Sequence, residues 1–185
     1  MTRSKKIFAG LIALVSALVF AASGAVDNGA SQVNITFTQM GVPVDAKFTQ
    51  VAGSIVYDPA NLAAAKALLA INVASFDIGD AAYNKEVLKN EWFNAAQFPQ
   101  ATFTSTAIKA LSPDTLQVRG NLTIKGRTLD VTVPVKRTQN GQLQTFSGTL
   151  PIKRLYFNIG EGEWKATDLL ADEVTIKFTI ATTNS

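Results

Sequence analysis

Apolar and polar residues alternate with period two along most of this chain. Val33, Ile35 and Phe37 are separated by Asn34 and Thr36, and Val44, Ala46 and Phe48 repeat the pattern. Such spacing puts the apolar side chains on one face of a strand. The phase slips near Gln50–Ala52, after which Val51, Gly53, Ile55 and Tyr57 carry the apolar face. A slip within a continuous strand predicts a bulge or sharp bend, a device barrels use at corners. Asp58-Pro59 reads as an N-cap with proline at the first helical position, opening a short helix over Ala60–Lys66. Leu69, Ile71 and Val73 then begin a strand that runs to about Phe76.

Residues 80–98 interrupt the alternation. Ala82–Asn90 holds good helix formers, and Trp92-Phe93 with Phe98-Pro99 give the segment an aromatic, irregular end. Strand signals resume over Ala101–Leu111, then at Leu116, Val118, Gly120, Leu122 and Ile124. Gly126 supplies a turn, and Leu129, Val131, Val133 and Val135 restart the pattern beyond it. Asn140-Gly141 predicts a type I′ hairpin leading into Phe146, Gly148, Leu150 and Ile152. The last strand is marked by Val174, Ile176, Phe178 and Ile180. Eight or nine strands without βαβ alternation predict an all-β antiparallel barrel or sandwich. The late strands each have one apolar and one polar face, so one side of the sheet is dry. In an eight-stranded barrel the dry side is the interior, filled by side chains or holding one ligand.

The first 25 residues stand apart. Arg3, Lys5 and Lys6 precede an apolar run from Ile7 to Phe20, and Ser23-Gly24-Ala25 offers small residues for cleavage. This is the layout of a secretory signal peptide over residues 1–25, with an uncleaved anchor as the alternative. The mature domain is then 26–185, without stable membrane insertion. Removing those three cations leaves 14 basic residues of the 17 against 14 acidic ones, a net charge of zero. No basic excess remains to attract nucleic acid.

Missing residue types narrow the chemistry further. No cysteine means no disulfide, no thiolate and no lipoprotein anchor. No histidine removes the Ser–His–Asp arrangement and the commonest metal ligand. Export without disulfides points to a bacterial periplasm. The spacing of Asp77, Asp80, Asp168 and Asp172 matches no paired-carboxylate site. The reading is of a protein that is not an enzyme and has neither metal nor cofactor.

Five segments, in order, resemble the YceI-like family of secreted, lipocalin-like polyisoprenoid binders. They are Phe48 to Pro59, Ser75-Phe76-Asp77-Ile78-Gly79, Leu88 to Phe103, Gly120 to Thr128 with its Leu122-Thr123-Ile124-Lys125-Gly126 core, and Arg154 to Gly160 followed by Trp164 and Asp172-Glu173-Val174. The resemblance implies an eight-stranded antiparallel lipocalin-like β-barrel with a short helical insertion, holding a long-chain isoprenoid lipid. It leaves open a homodimer. Many members carry Arg-Asp-x-His where this chain has Tyr83-Asn84-Lys85-Glu86; a headgroup contact made there is absent or altered here. The alternative is a secreted, stress-related barrel with a filled core and no lipid.

The candidate tail-binding residues are the dry-face Phe37, Phe48, Ile55, Phe76, Phe103, Leu122, Ile124, Val133, Phe146, Ile176 and Phe178. Ordinary core packing is the competing role for each. Trp92, Phe93 and Phe98, on the insertion, are placed to gate the barrel mouth or plug it. Arg154, and more weakly Arg127, are the headgroup candidates, since a guanidinium suits phosphate or carbonyl oxygens.

Overall fold

A computed structural model describes residues 22–183. Its strands are β1 (Ala22–Ala25), β2 (Gln32–Gln39), β3 (Val42–Phe48), β4 (Val51–Tyr57), β5 (Lys66–Asn72) and β6 (Phe76–Asp77). A single α-helix among the described residues, α1 (Ala81–Glu86), separates these from β7 (Gln100–Ser112), β8 (Thr115–Ile124), β9 (Arg127–Asn140), β10 (Leu143–Lys153) and β11 (Leu170–Thr183). All pairings are antiparallel, and they join one 11-stranded sheet in the order β1-β4-β5-β7-β8-β9-β10-β11-β2-β3-β6.

The sheet curls on itself because β3 runs directly on into β4 across Thr49-Gln50. That break lies at the predicted phase slip. Counting β3 and β4 as one bent strand, and setting aside the short β1 and β6, leaves the eight strands expected. Val26 bridges Thr182, linking the β4 side of the seam to β11. Residues 1–21 of the predicted signal peptide lie outside the described residues. Its last four residues form β1, with Ala22 opposite Tyr57 and Ala25 opposite Ser54.

Alternation sets the inside and the outside. In β8, Leu116, Val118, Gly120, Leu122 and Ile124 are buried, while Gln117, Arg119 and Asn121 are exposed. Val131, Val133 and Val135 continue the buried side in β9. The β8–β9 turn places Lys125 (φ +47°) and Gly126 (φ +73°) between the paired Ile124 and Arg127. Positive φ at both central positions is what a type I′ hairpin needs.

Three local expectations require correction. Ala60–Lys66 is not an α-helix: only Leu62–Ala64 makes a 3-10 turn, and Lys66 already pairs with Val56. So short a segment cannot nucleate a helix cheaply, and the sheet edge takes its end. The strand predicted to reach Phe76 stops at Asn72, where Val73–Ser75 turns in 3-10 form with the Asn72 side chain accepting from Ala74 N. At the β9–β10 hairpin, Asn140 pairs with Leu143, so Gly141 and Gln142 occupy the turn centre. Gly141 has φ +60° but Gln142 does not share the left-handed conformation, so the predicted type I′ turn does not form.

Candidate functional site

The barrel encloses a cavity of about 520 Å³, so its own side chains do not fill it. This lies within the roughly 300–1,000 Å³ typical of ligand pockets. Most wall strands contribute alternate residues. Val33, Ile35 and Phe37 come from β2, Leu116, Val118, Leu122 and Ile124 from β8, and Val174, Ile176, Phe178 and Ile180 from β11. The same alternation that built the dry face therefore built the cavity wall.

Of the tail candidates, Phe37, Phe48, Ile55, Phe76, Phe103, Leu122, Ile124, Val133, Phe146, Ile176 and Phe178 all line this cavity. Phe103 lies over Gly120 and Phe178 over Gly148: a Cβ added to either glycine would come within 2.4 Å and 2.7 Å of the respective ring. Those glycines make room for aromatic rings at the wall. Phe48 meets Phe76 and Phe93 edge-on, with ring centroids 5.7 Å and 5.8 Å apart.

Trp92 and Phe93 also line the cavity, but Phe98 does not. Phe98 packs instead against Gly126 of the β8–β9 hairpin. The insertion carrying these aromatics is firmly tied down. Asp80 caps α1 by accepting from Ala82 N and Tyr83 N. Lys125 Nζ, on a nearly buried side chain, donates to Asn90 O (2.7 Å), Asn158 O (2.6 Å) and Glu161 Oε2 (3.0 Å). That ammonium joins the hairpin, the insertion and the segment before β11.

Arg154 lines the cavity yet is only 3 % exposed. Its Nε donates to Ala171 O at 3.0 Å. Nη1 donates to Ile159 O (2.8 Å) and Gly160 O (3.0 Å), and Nη2 to Trp164 O (2.8 Å) and Leu170 O (2.7 Å). A guanidinium has five N–H donors, so all are committed to backbone carbonyls. Burial pushes its pKa below the ordinary arginine value, opposed by nearby Asp172. Arg127, the weaker headgroup candidate, does not line the cavity. It donates to Tyr156 O and Asn158 Oδ1 and stacks over the Tyr156 ring.

Several wall residues escaped the sequence pattern. Gln39, Asp80, Tyr83, Glu86 and Trp164 contribute polar groups to a wall that is otherwise almost wholly apolar. The signal for two of them was present: Tyr83 and Glu86 lie in the tetrapeptide that departs from the family motif. Trp164 packs against Trp92 with ring centroids 5.4 Å apart and the planes tilted by 50°.

Comparison with known proteins now bears on this barrel. The YceI-like domain model matches residues 25–182. The chain belongs to the YceI-like family. A UPF0312 protein of Vibrio vulnificus is 29% identical to it over 167 residues, covering 84% of this chain and 88% of that protein. Among solved structures it is similar to Burkholderia cenocepacia BcnA, with 48% identity and a TM-score of 0.82 over 85% of this chain and 99% of the other. It also shares its fold with a Saccharophagus degradans domain described as polyisoprenoid binding. That pair has a TM-score of 0.69 at 18% identity, covering 90% of this chain and 100% of the domain. Its YceI-like architecture thus combines an antiparallel barrel, one small helix and an apolar cavity.

Proposed function

We propose that this protein is a non-catalytic periplasmic carrier or store for a long-chain polyisoprenoid lipid, a polyprenyl species or an isoprenoid quinone, held inside the barrel. The observation that carries this reading is the 520 Å³ cavity with its almost wholly apolar wall. Such a wall offers little to a polar substrate and much to a hydrocarbon tail. At roughly 0.8 kcal/mol per buried CH₂, about ten methylenes contribute ~8 kcal/mol before the costs of association. That gross figure corresponds to about micromolar affinity, and a longer tail has more to give. Polyisoprenoid binding by the Saccharophagus domain of the same fold supports the choice of ligand class. The signal-peptide layout of residues 1–25 supports the periplasmic location.

Titration with a long-chain isoprenoid, followed by tryptophan fluorescence, tests the reading. Trp92 and Trp164 both line the cavity, so saturable binding should change the emission. An absence of saturable binding up to the solubility limit would contradict the proposal.

A further inference from the structure

Among the described residues seven large apolar side chains stand exposed, and four of them gather at one end of the barrel. Met40 is 72 % exposed and Val42 60 %, both at the β2–β3 hairpin; Leu169 precedes β11, and Tyr83 is on α1. Met40 N donates to Leu169 O at 2.8 Å, and Gln39 pairs with both Val42 and Leu170. The hairpin tip and Leu169 therefore form one patch. Tyr156, exposed as well, is already engaged: its hydroxyl donates to Thr128 O and Arg127 lies over its ring.

The cavity opens at that same end. Among the described residues lining it, only Asp80 and Tyr83 are exposed, so the interior meets solvent beside α1. Gln39 and Val44 line it from the hairpin and Leu170 from the start of β11, each one or two residues from an exposed member of the patch. Outer and inner apolar surfaces thus meet across the rim.

The hairpin tip gives up stability to present its side chain. Gln39 pairs with Val42 around Met40 (φ +51°) and Gly41 (φ +78°), a type I′ turn. Asn-Gly is the ordinary choice there, and a long side chain seldom adopts positive φ. Methionine at this position bears backbone strain and still leaves its thioether arm in water. A Cβ added to Gly41 would meet nothing within 4 Å, so the tip projects clear of the barrel. Charges on the neighbouring segments are mixed, with Lys85 and Lys165 against Asp80, Glu86 and Asp168. They supply no cationic excess to seek an anionic surface.

Resting on the carrier reading above, we infer that this rim is a docking surface for a lipid bilayer, entered reversibly by Met40, Val42 and Leu169. An isoprenoid then passes between membrane and cavity without crossing water. The bilayer is the occupant that the cavity calls for, because a long isoprenoid outside the protein resides there. The hold is hydrophobic, so uncharged lipid suffices.

Flotation with vesicles of phosphatidylcholine and phosphatidylethanolamine tests this surface. The native protein should bind them. Raising salt from about 0.1 M to about 0.5 M, or adding phosphatidylglycerol, should change the affinity less than about twofold, since screening acts only on charge. Met40→Asn should lower vesicle affinity about tenfold while the melting temperature stays level or rises, because asparagine suits the turn. Adding Leu169→Ser should lower it further. Neither side chain lines the cavity, so affinity for geranylgeraniol presented in detergent should stay within about twofold. Leu111→Ser removes an exposed leucine near the β7–β8 turn, at the other end of the barrel, and should change vesicle binding less than about twofold. Native protein that stays off neutral vesicles, or binds only anionic ones in a salt-sensitive way, overturns the inference. So does a loss on Leu111→Ser equal to that on Met40→Asn, or a patch that sedimentation shows joining two copies of the chain instead. Geranylgeraniol bound from detergent without vesicle association defeats the inference alone, whereas failure to bind it from detergent defeats the carrier reading as well.

Discussion

Arg154→Lys keeps the positive charge and discards the planar fork. In the barrel that fork joins two segments, because its acceptors are Ile159, Gly160 and Trp164 before β11, and Leu170 and Ala171 at the start of β11. All five contacts measure 2.7 to 3.0 Å, and the residue is 3 % exposed. A lysine ammonium has three donors, so at least two carbonyls lose their partner. At about 1–3 kcal/mol for each buried group left unpaired, the expected loss is about 2–6 kcal/mol. That is a large share of the roughly 5–15 kcal/mol a domain possesses. Arg154→Met removes every donor and should cost at least as much. Urea unfolding checks this, through a lower midpoint at unchanged slope. A loss below about 0.5 kcal/mol, the scale of an ordinary surface change, together with weakened lipid binding, would refute the reasoning. The guanidinium would then be serving the ligand rather than the chain.

Three further outcomes can be checked independently. Val133→Phe puts a larger ring at a wall position of the cavity, into space that the barrel's own side chains leave open. Displacing about two methylenes of tail at ~0.8 kcal/mol each should weaken isoprenoid binding by about tenfold in a direct titration. Gly120→Ala places a Cβ 2.4 Å from Phe103 Cζ and 2.5 Å from Thr104 O, so the ring and β7 must shift; a loss of about 1–3 kcal/mol in urea unfolding is expected. Asp77 accepts from Gly79 N and Asn84 Nδ2 and lies near Lys47; these hydrogen bonds, the Gly79 one foremost, hold its carboxyl pKa below the ordinary value. A folded-state pKa below the unfolded one means stability present above the unfolded pKa and lost as pH falls through the folded pKa. The stability advantage of the native chain over Asp77→Asn should therefore shrink on acidification through the carboxylate range, as read by melting at stepped pH.

Strand positions were legible because a half-buried sheet writes its two faces into the sequence. Leu116 to Ile124 and Val131 to Val135 showed their inward side directly, and that side proved to be the cavity wall. The phase slip at Gln50–Ala52 marked the bend at which β3 becomes β4. Local signals failed where tertiary pairing overrode them. Alanine gives residues 60–66 a high helix propensity, but the segment is too short to nucleate a helix and β5 claims Lys66. Phe98 shared its chemistry with Trp92 and Phe93, yet it faces Gly126 of the hairpin. Arg154 was the hardest to read. Its type announces affinity for oxygen atoms and leaves unsaid whose oxygens they are; here they belong to residues 159–171 of its own chain. The polar wall groups Asp80, Tyr83 and Glu86 follow no strand period because they sit on or beside α1, off the alternating framework.

The central claim is that the cavity holds an isoprenoid lipid in the cell. Organic extraction of protein purified from its native host, followed by mass spectrometry of the extract, tests it most directly. A stoichiometric polyprenyl or quinone species is the predicted result. An extract free of lipid, unchanged after the protein has been incubated with isoprenoid lipids and purified again, would contradict the account.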